Sequence, residues 1–379
     1  MLRRLLGNFR WGVLPVPGRV IGIVFFVVLF LIPLFMDHPY YLRMFTYANL
    51  FVIFAVSWDL LSGYTGQVNF GHALFFGVAG YGSALLYKYF GWQPVQTIPI
   101  AVVGSTVLGV VACLPALRLR GPYLSLYTLA LPIMLLGVII SLRDVTGGEY
   151  GIRGLPLIAA TRVGQYYVAL IVMLVSVMVM WKLTDAGSKY VRTGLLFHAI
   201  REDEIAARAS GINTIRYKIL AFAIGGLFAA IAGALYPHVR GTIGPTSLAL
   251  TTSFLAVIWT IFGGIVSIYG PVVGVYTLYP IVYLAQDIKG LFERLVAAAP
   301  SGPLTESLRV VQSIVERPYL ILGIIVILVL LFMPEGLAVR IRNRMEEQCP
   351  RCKLTNAAWR RDCRACGASL RYVADKHST

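Results

Sequence analysis

The chain has 379 residues, 58% hydrophobic and 13% charged, with a mean hydropathy of +0.75 and a net charge of +16. A soluble domain carries roughly 25% charged residues and cannot bury this much apolar surface, and the ~10-residue alternating strands of an outer-membrane barrel are absent. Several runs of about 18 or more apolar residues predict an all-α, polytopic transmembrane helical bundle. In such a protein lysine and arginine mark cytoplasmic loops and meet anionic lipid, which explains the positive charge better than nucleic acid does.

The N-terminal stretch MLRRLLGNFRWGVLPVPGR precedes a long apolar run without a small-residue cleavage site after it. It reads as a cytoplasmic tail, residues 1–18, followed by a retained first span rather than a removed signal peptide. About ten spans follow from the apolar runs: Arg19–Met36, Phe45–Leu61, Ala73–Phe90, Val95–Leu117, Tyr123–Leu142, Val163–Trp181, Tyr217–Tyr236, Leu248–Ile268, Val272–Ile288 and Tyr319–Met333. With the first joint inside, the basic clusters fall on one side. These are Arg118 and Arg120, the loop with Lys182, Lys189, Arg192, Arg201, Arg208, Arg216 and Lys218, and the tail with Arg340, Arg342 and Arg344. Both termini are therefore expected in the cytoplasm of a cell inner (plasma) membrane protein. The organisation expected is a tail over 1–18, a membrane domain over 19–336 and a basic cytoplasmic tail over 337–379.

Between the second and third spans, GYTGQVNFGHALFFGVAGYGS sets Gln67, Asn69 and His72 beside Gly66 and Gly71. Polar backbone at bilayer depth survives where it is buried in protein or lines a wet cavity, and polar intramembrane side chains face interiors or pathways. Gly66, Gln67, Asn69, Gly71 and His72 are therefore candidates for a translocation path, against the plainer alternative of an aqueous loop. His72 alone suits packing and hydrogen bonding better than ligation. Asp59 lies near the end of span two, where it can reach the interface. After span five, Thr146–Gly154 is glycine-rich; it could expose backbone N–H groups as an anion nest or form a tight turn, and it lacks Walker spacing.

The chain is organised around Lys189–Lys218, KYVRTGLLFHAIREDEIAARASGINTIRYK. Acidic residues at 202–204 suit the first turn of a helix; Ile205, Ala206, Ala207 and Ala209 follow, and Gly211 stops it as a left-handed C′ residue would. The expectation is one short helix over Glu202–Gly211 with an exposed alanine face, a docking knob for a soluble partner. Span seven then carries a small-residue stripe, Ala221, Gly225, Ala229 and Gly233, suited to close helix packing. Gly263-Gly264 and Gly270-Pro271 interrupt spans eight and nine.

The tail carries Cys349-x-x-Cys352 and, ten residues on, Cys363-x-x-Cys366, the spacing of a structural four-cysteine zinc site in a small C-terminal zinc-binding module. A reducing cytoplasm keeps such thiols free for metal. Cys113 stands alone in span four and suits packing. The Cys352-x3-Asn356-x6-Cys363 spacing resembles the RanBP2-type zinc finger, with Glu347 where that family has tryptophan. That resemblance implies a protein- or RNA-binding module; nucleic acid is expected nowhere else in the chain.

In order, GYTGQVNFGHALFFGVAGYGSALL, LRLRGPYLSLYTLALP, TGGEYGIRGLP, AIREDEIAARASGI and FGGIVSIYGPVVG closely resemble the LivM-type permease of branched-chain amino-acid ABC importers, from about Phe45 to Gly336. Asp59 stands where that family has asparagine. The usual Glu-Ala-Ala of the ATPase-coupling motif becomes Ile205-Ala206-Ala207, with Glu204 shifted by one and Gly211 in place. The resemblance implies an ATPase-coupling helix with Glu202, Glu204, Ala206, Ala207 and Gly211. It also implies the partners: a LivH-like second permease, two cytoplasmic ATPase subunits and an extracytoplasmic solute-binding protein. The solute would be a branched-chain amino acid or similar small polar molecule, and ATP would act only on the partner subunits, the chain itself being no enzyme. The rival readings are a proton-coupled secondary transporter using Asp59 and His72, and a membrane-anchored scaffold acting through its zinc module.

Overall fold

The computed structural model describes residues 17–36, 38–118, 122–185, 193–298, 318–349, 351, 355–363 and 366–370. Cys352, Arg120, Lys189, Arg192 and the first 16 residues lie outside them. Two compact units emerge: His38–Gly336, and the chain ends Met1–Asp37 with Leu337–Thr379.

The described chain is mostly helical. Helix α1 (Pro17–Phe35) belongs to the unit of the chain ends. The larger unit holds α2 (Pro39–Trp58), α3 (Ala73–Phe90), α4 (Pro94–Cys113), α5 (Pro122–Ser141), α6 (Arg162–Thr184), α7 (Thr193–Glu202) and α8 (Glu204–Ala209). It continues with α9 (Thr214–Arg240), α10 (Leu250–Gly263), α11 (Tyr269–Ala298) and α12 (Pro318–Phe332). Each of the ten apolar stretches read from the sequence holds a helix. Among the described residues, six helical segments are long and apolar enough to cross a membrane: Pro39–Gly63, Pro94–Cys113, Pro122–Ser141, Arg162–Thr184, Thr214–Arg240 and Leu322–Met345. The last is interrupted by the turn at Met333–Gly336.

Helix α9 is central and packs on α2, α3 and α4. Its small-residue stripe is the reason. A Cβ on Gly233 would lie 2.1 Å from the Phe76 carbonyl oxygen of α3, and one on Gly225 would lie 2.9 Å from Leu61 Cβ after α2. No side chain fits there, so the helix backbones meet directly, the contact that small residues permit.

Helix α2 ends in one π turn, Asp59–Gly63. Asp59 is fully buried instead of reaching the interface. Its carboxylate accepts the backbone N–H groups of Val266 (2.8 Å) and Ser267 (3.1 Å), in the break between α10 and α11. A buried carboxylate needs such donors, and the break is where free backbone donors occur: α10 stops at Gly263, and Val266 sits at φ 60°. The glycine-rich stretch after α5 is a folded turn: β1 (Ile152–Arg153) pairs antiparallel with β2 (Thr242–Ile243), tying it to the end of α9.

In the unit of the chain ends, α1 packs against α13 (Leu337–Met345). Beyond α13, β3 (Glu346–Gln348) pairs antiparallel with β4 (Thr355–Ala357), Glu347 opposite Asn356.

Candidate functional site

The stretch expected to form one helix over Glu202–Gly211 is broken at Asp203. Glu202 ends α7, and Asp203 adopts extended backbone (φ −154°, ψ 106°) as the N-cap of α8. Its carboxylate accepts the N–H groups of Ile205 (2.8 Å) and Ala206 (3.0 Å). An aspartate that caps gains these two donors, which outweighs the continuity of the helix.

Six residues later α8 ends in a Schellman motif. Ile212 N–H reaches the Ala207 carbonyl (3.1 Å) and Gly211 N–H the Arg208 carbonyl (3.0 Å), with Gly211 at φ +84°. This left-handed position favours glycine.

Glu204 fixes α8 to the start of α9. Its carboxylate meets Lys218 Nζ at 2.8 Å and an Arg208 guanidinium nitrogen at 2.9 Å, and accepts the Thr214 hydroxyl at 3.2 Å. Burial pushes the Glu204 carboxyl up, but Lys218, Thr214 and Arg208 together outweigh it and hold the group below its ordinary value. The Lys218 side chain is 6% exposed, so the pair is answered largely out of water on its cationic side.

The alanine face divides in two. Ala207 is 5% exposed and packs inward, so it is no part of a docking surface, whereas Ile205 is 71% exposed and Ala206 and Ala209 also face out. The reading of Ala207 as a contact for a partner is corrected accordingly: three- and four-residue spacing places it on the face that Glu204 pins down.

The candidate path residues also divide. Gly66 and Gln67 line an open cavity of about 770 Å³ together with Glu202, Glu204, Arg208 and Lys218. Gly66 lies against Arg201 of α7. Gln67 is 6% exposed, and neither its amide oxygen nor its nitrogen has a hydrogen-bond partner. The turn after α2 and the α7–α8 pair thus share one cavity, which the sequence spacing did not reveal.

Asn69, Gly71 and His72 sit in packing. Asn69 Oδ1 accepts the Gly71 N–H at 2.8 Å. His72 is fully buried; its Nε2 lies 2.8 Å from the Ser57 hydroxyl and its ring 4.9 Å from that of Phe54. Its Nδ1 is unpartnered. On α7, His198 packs on Tyr64 with centroids 5.3 Å apart. Burial, aided by the Arg201 charge, holds His198 below its ordinary value and favours the neutral ring.

A family model described as branched-chain amino acid transport system / permease component matches residues 40–330. The chain belongs to this permease family. The high-affinity branched-chain amino acid transport system permease protein LivM of Escherichia coli (strain K12) is 26% identical over 342 residues, 83% of this chain and 72% of the relative. The probable branched-chain amino acid transport permease protein LivM of Methanocaldococcus jannaschii is also 26% identical, over 76% of this chain and 90% of its own length. The high-affinity permease protein LivH of Escherichia coli (strain K12) is 25% identical over 78% of this chain and 93% of its own. No solved structure matches the chain.

The cysteine tail lies outside the region matched to the permease family. Among the described residues, the sulfurs of Cys349, Cys363 and Cys366 lie within 4.8 Å of one another. Cys349 and Cys363 are buried, and the Asn356 amide donates to Cys363 Sγ at 3.6 Å. Tetrahedral Zn–S bonds of about 2.3 Å would bring sulfurs to a similar spacing, so the three thiols suit a metal of that kind. They form a possible three-cysteine metal group, with Cys352 outside the described residues.

One feature of this permease-family chain was not read from the sequence. Arg43 and Arg240 line a second cavity with a set of aromatic rings from α2, α9, α10 and α11. The only sequence signal was basic residues among tyrosines in YYLRMFTY of α2 and LYPHVR of α9, nearly 200 positions apart.

Proposed function

We propose that the chain is the permease subunit of an ABC importer in the cell inner membrane, spanning it about ten times with both termini cytoplasmic. It pairs with a second, LivH-like permease and takes solute from an extracytoplasmic binding protein. Two cytoplasmic ATPase subunits supply the energy. The solute class is a branched-chain amino acid or a molecule like it. Membership of the permease family supports this, as does the basic residues' bias to one side of the ten helices.

The observation that carries the coupling part is α8: held from within by Glu204, closed at both ends, and bare on the outer face at Ile205, Ala206 and Ala209. Helix α8, with Glu202 at the end of α7, sits in a groove of an ATPase. Nucleotide-driven closure moves the pair, and the shared cavity passes the motion to Gly66, Gln67 and the α2 end. Asn69, Gly71 and His72 buttress that route. Nucleotide shifts the transporter because it binds one of two arrangements better.

Ala206→Trp tests this. Overpacking a fitted contact costs about 1–3 kcal/mol, enough to weaken docking about tenfold. ATPase co-purification and ATP-driven uptake should both fall while the permease remains folded in the membrane; wild-type values in both would sink the coupling role.

In the tail, Cys349, Cys352, Cys363 and Cys366 hold one structural zinc, supported by the convergence of the three described thiols. Metal analysis of the purified chain should give one zinc, lost in Cys363→Ser, with uptake retained.

A further inference from the structure

The second cavity has a volume of about 540 Å³ and is built at the N-terminal end of α2 and the C-terminal end of α9. Arg43 and Arg240 bring two guanidinium groups to its lining. No acidic side chain among the described residues lines it, and neither arginine is in an ion pair there. Arg240 donates to the Tyr236 hydroxyl and lies over that ring, 5.7 Å from its centroid. That bond spends one of five guanidinium N–H donors and fixes the orientation of the rest.

The remaining wall is mostly aromatic, completed by Thr242, Leu255, Val282 and Leu322. The Phe51 ring lies 5.1 Å from Trp259 and 5.2 Å from Tyr279, and Tyr279 donates to the Tyr283 hydroxyl at 3.2 Å. Trp259 is 1% exposed, and its Nε1 has no hydrogen-bond partner. A buried donor left without a partner costs free energy that a ligand acceptor would recover. The size is that of small-molecule sites, which are mostly apolar with a few placed polar groups.

We propose that this cavity binds an apolar α-amino acid ahead of translocation, its carboxylate on Arg43 and Arg240 and its side chain against Phe51, Trp259 and Tyr279. The proposal rests on the import reading above and narrows its substrate class. Two like charges lining one cavity repel, and a carboxylate, with two acceptor oxygens, offsets both. Urea or a neutral amide brings no charge to offset them. A basic side chain would meet two cations and no anion. The ammonium group finds tyrosine hydroxyl oxygens and ring faces, which attract cations. In the ten-span arrangement these helix ends lie on the outer side, where a binding protein would release its solute.

The test uses the assembled importer in lipid nanodiscs and in liposomes, with radiolabelled leucine, leucinamide and urea as probes. Arg43→Gln, Trp259→Phe and Arg240→Lys are compared with wild type. Without binding protein, wild type should bind leucine and prefer it to leucinamide, which lacks the carboxylate. Arg43→Gln should weaken leucine by about tenfold or more and narrow that preference; Arg240→Lys should retain part of it, and Trp259→Phe should weaken leucine while leaving the preference intact. Because Arg43 is exposed, its glutamine variant should assemble as wild type does, checked by elution and ATPase content. ATP-driven leucine uptake in wild type with equal leucine binding in all variants would overturn the site and leave the import reading standing. Uptake of urea in place of leucine would overturn the carboxylate assignment alone. ATP-independent uptake, or none of any probe, would overturn the import reading and the site with it.

Discussion

In the cavity beside Gln67, Lys218 and Arg208 find Glu204 at 2.8 and 2.9 Å, whereas Arg43 and Arg240 line a cavity with no acidic side chain among the described residues. The two basic pairs belong to the same unit and occur on the same helices or their neighbours, yet they do different work. A cation answered by the chain's own carboxylate positions an element: here it holds α8 onto α9. A pair of cations among aromatic and aliphatic side chains, with no carboxylate beside them among the described residues, leaves its charge for a ligand. The rule is physical, since a charge removed from water, as at Lys218, needs an opposite charge nearby, whereas Arg43 and Arg240 keep contact with solvent and stay open to a solute.

The largest expected effect comes from breaking the inner face of α8, the helix that Glu204 holds beside the first cavity. Ala207 is 5% exposed and packed within the chain, and tryptophan there forces α8 off its seat. The cost is about 3 kcal/mol, the upper part of the overpacking range. Thermal unfolding of the purified permease should begin with this segment in Ala207→Trp, while Ala206→Trp, on the outer face, should melt as wild type does. Equal melting of the two variants would mean that α8 has no inner and outer face, and the contrast between positioning and binding charges would lose its first half.

How far the sequence carried the reading differs between these regions, for identifiable reasons. Hydropathy is a local property, and each of the ten apolar runs holds a helix. The small stripe of α9 was legible because four-residue spacing on a helix already defines a face. Asp203 was misread because acidic residues suit both a first turn and a cap. Only the backbone at φ −154° distinguishes them. Ala207 was misplaced for a related cause: which face of α8 is inner depends on Lys218, 14 positions beyond Glu204. The arginine–aromatic cavity was invisible, because it is assembled from α2, α9, α10 and α11 and no short stretch contains its pattern. Asp59 looked like a group seeking the interface until Val266 and Ser267, more than 200 positions away, supplied its donors.

A smaller effect should follow from removing Glu204, one of three acidic side chains lining the first cavity. Glu204→Ala leaves Lys218, 6% exposed, without its partner. A fully buried broken pair costs about 3–5 kcal/mol; Glu204 keeps contact with solvent, so about 1–2 kcal/mol is expected here. Amide hydrogen exchange over residues 205–212 should speed up by roughly tenfold. The double variant Glu204→Gln with Lys218→Met should recover most of the protection, since no charge is then stranded. Unchanged exchange in Glu204→Ala would place the Lys218 charge in water and dissolve the distinction between the two cavities.

The smallest effect is a pH dependence confined to the first cavity, with two separable parts. The groups around α8 are Lys218 and the Thr214 hydroxyl of α9, Glu204 and Arg208 on α8 itself, Asp203 at its N-cap, and Arg201 and Glu202 at the end of α7, with His198 one turn earlier against Tyr64. Glu204 and His198 carry the expected acid dependence. The folded-state value of Glu204 lies below its ordinary 4.5, burial being outweighed by Lys218, Thr214 and Arg208. The unfolded segment therefore binds a proton first. The stabilisation from Glu204 is full above pH 4.5 and is lost as pH falls through the lower folded value. His198 also lies below its ordinary 6.5, through burial and the Arg201 charge, so its unfolded form again takes the proton first. Its loss begins higher, as pH falls through 6.5. Exchange protection over 205–212, followed downward from pH 7, should decline in two stages. His198→Gln should remove the upper stage and Glu204→Gln the lower, each leaving the other in place. Among the described residues no histidine or carboxylate lines the Arg43–Arg240 cavity, so amides lining it should follow neither stage. A decline shared by both cavities would point to a change of the whole unit instead and would leave the Glu204 pair without a local role.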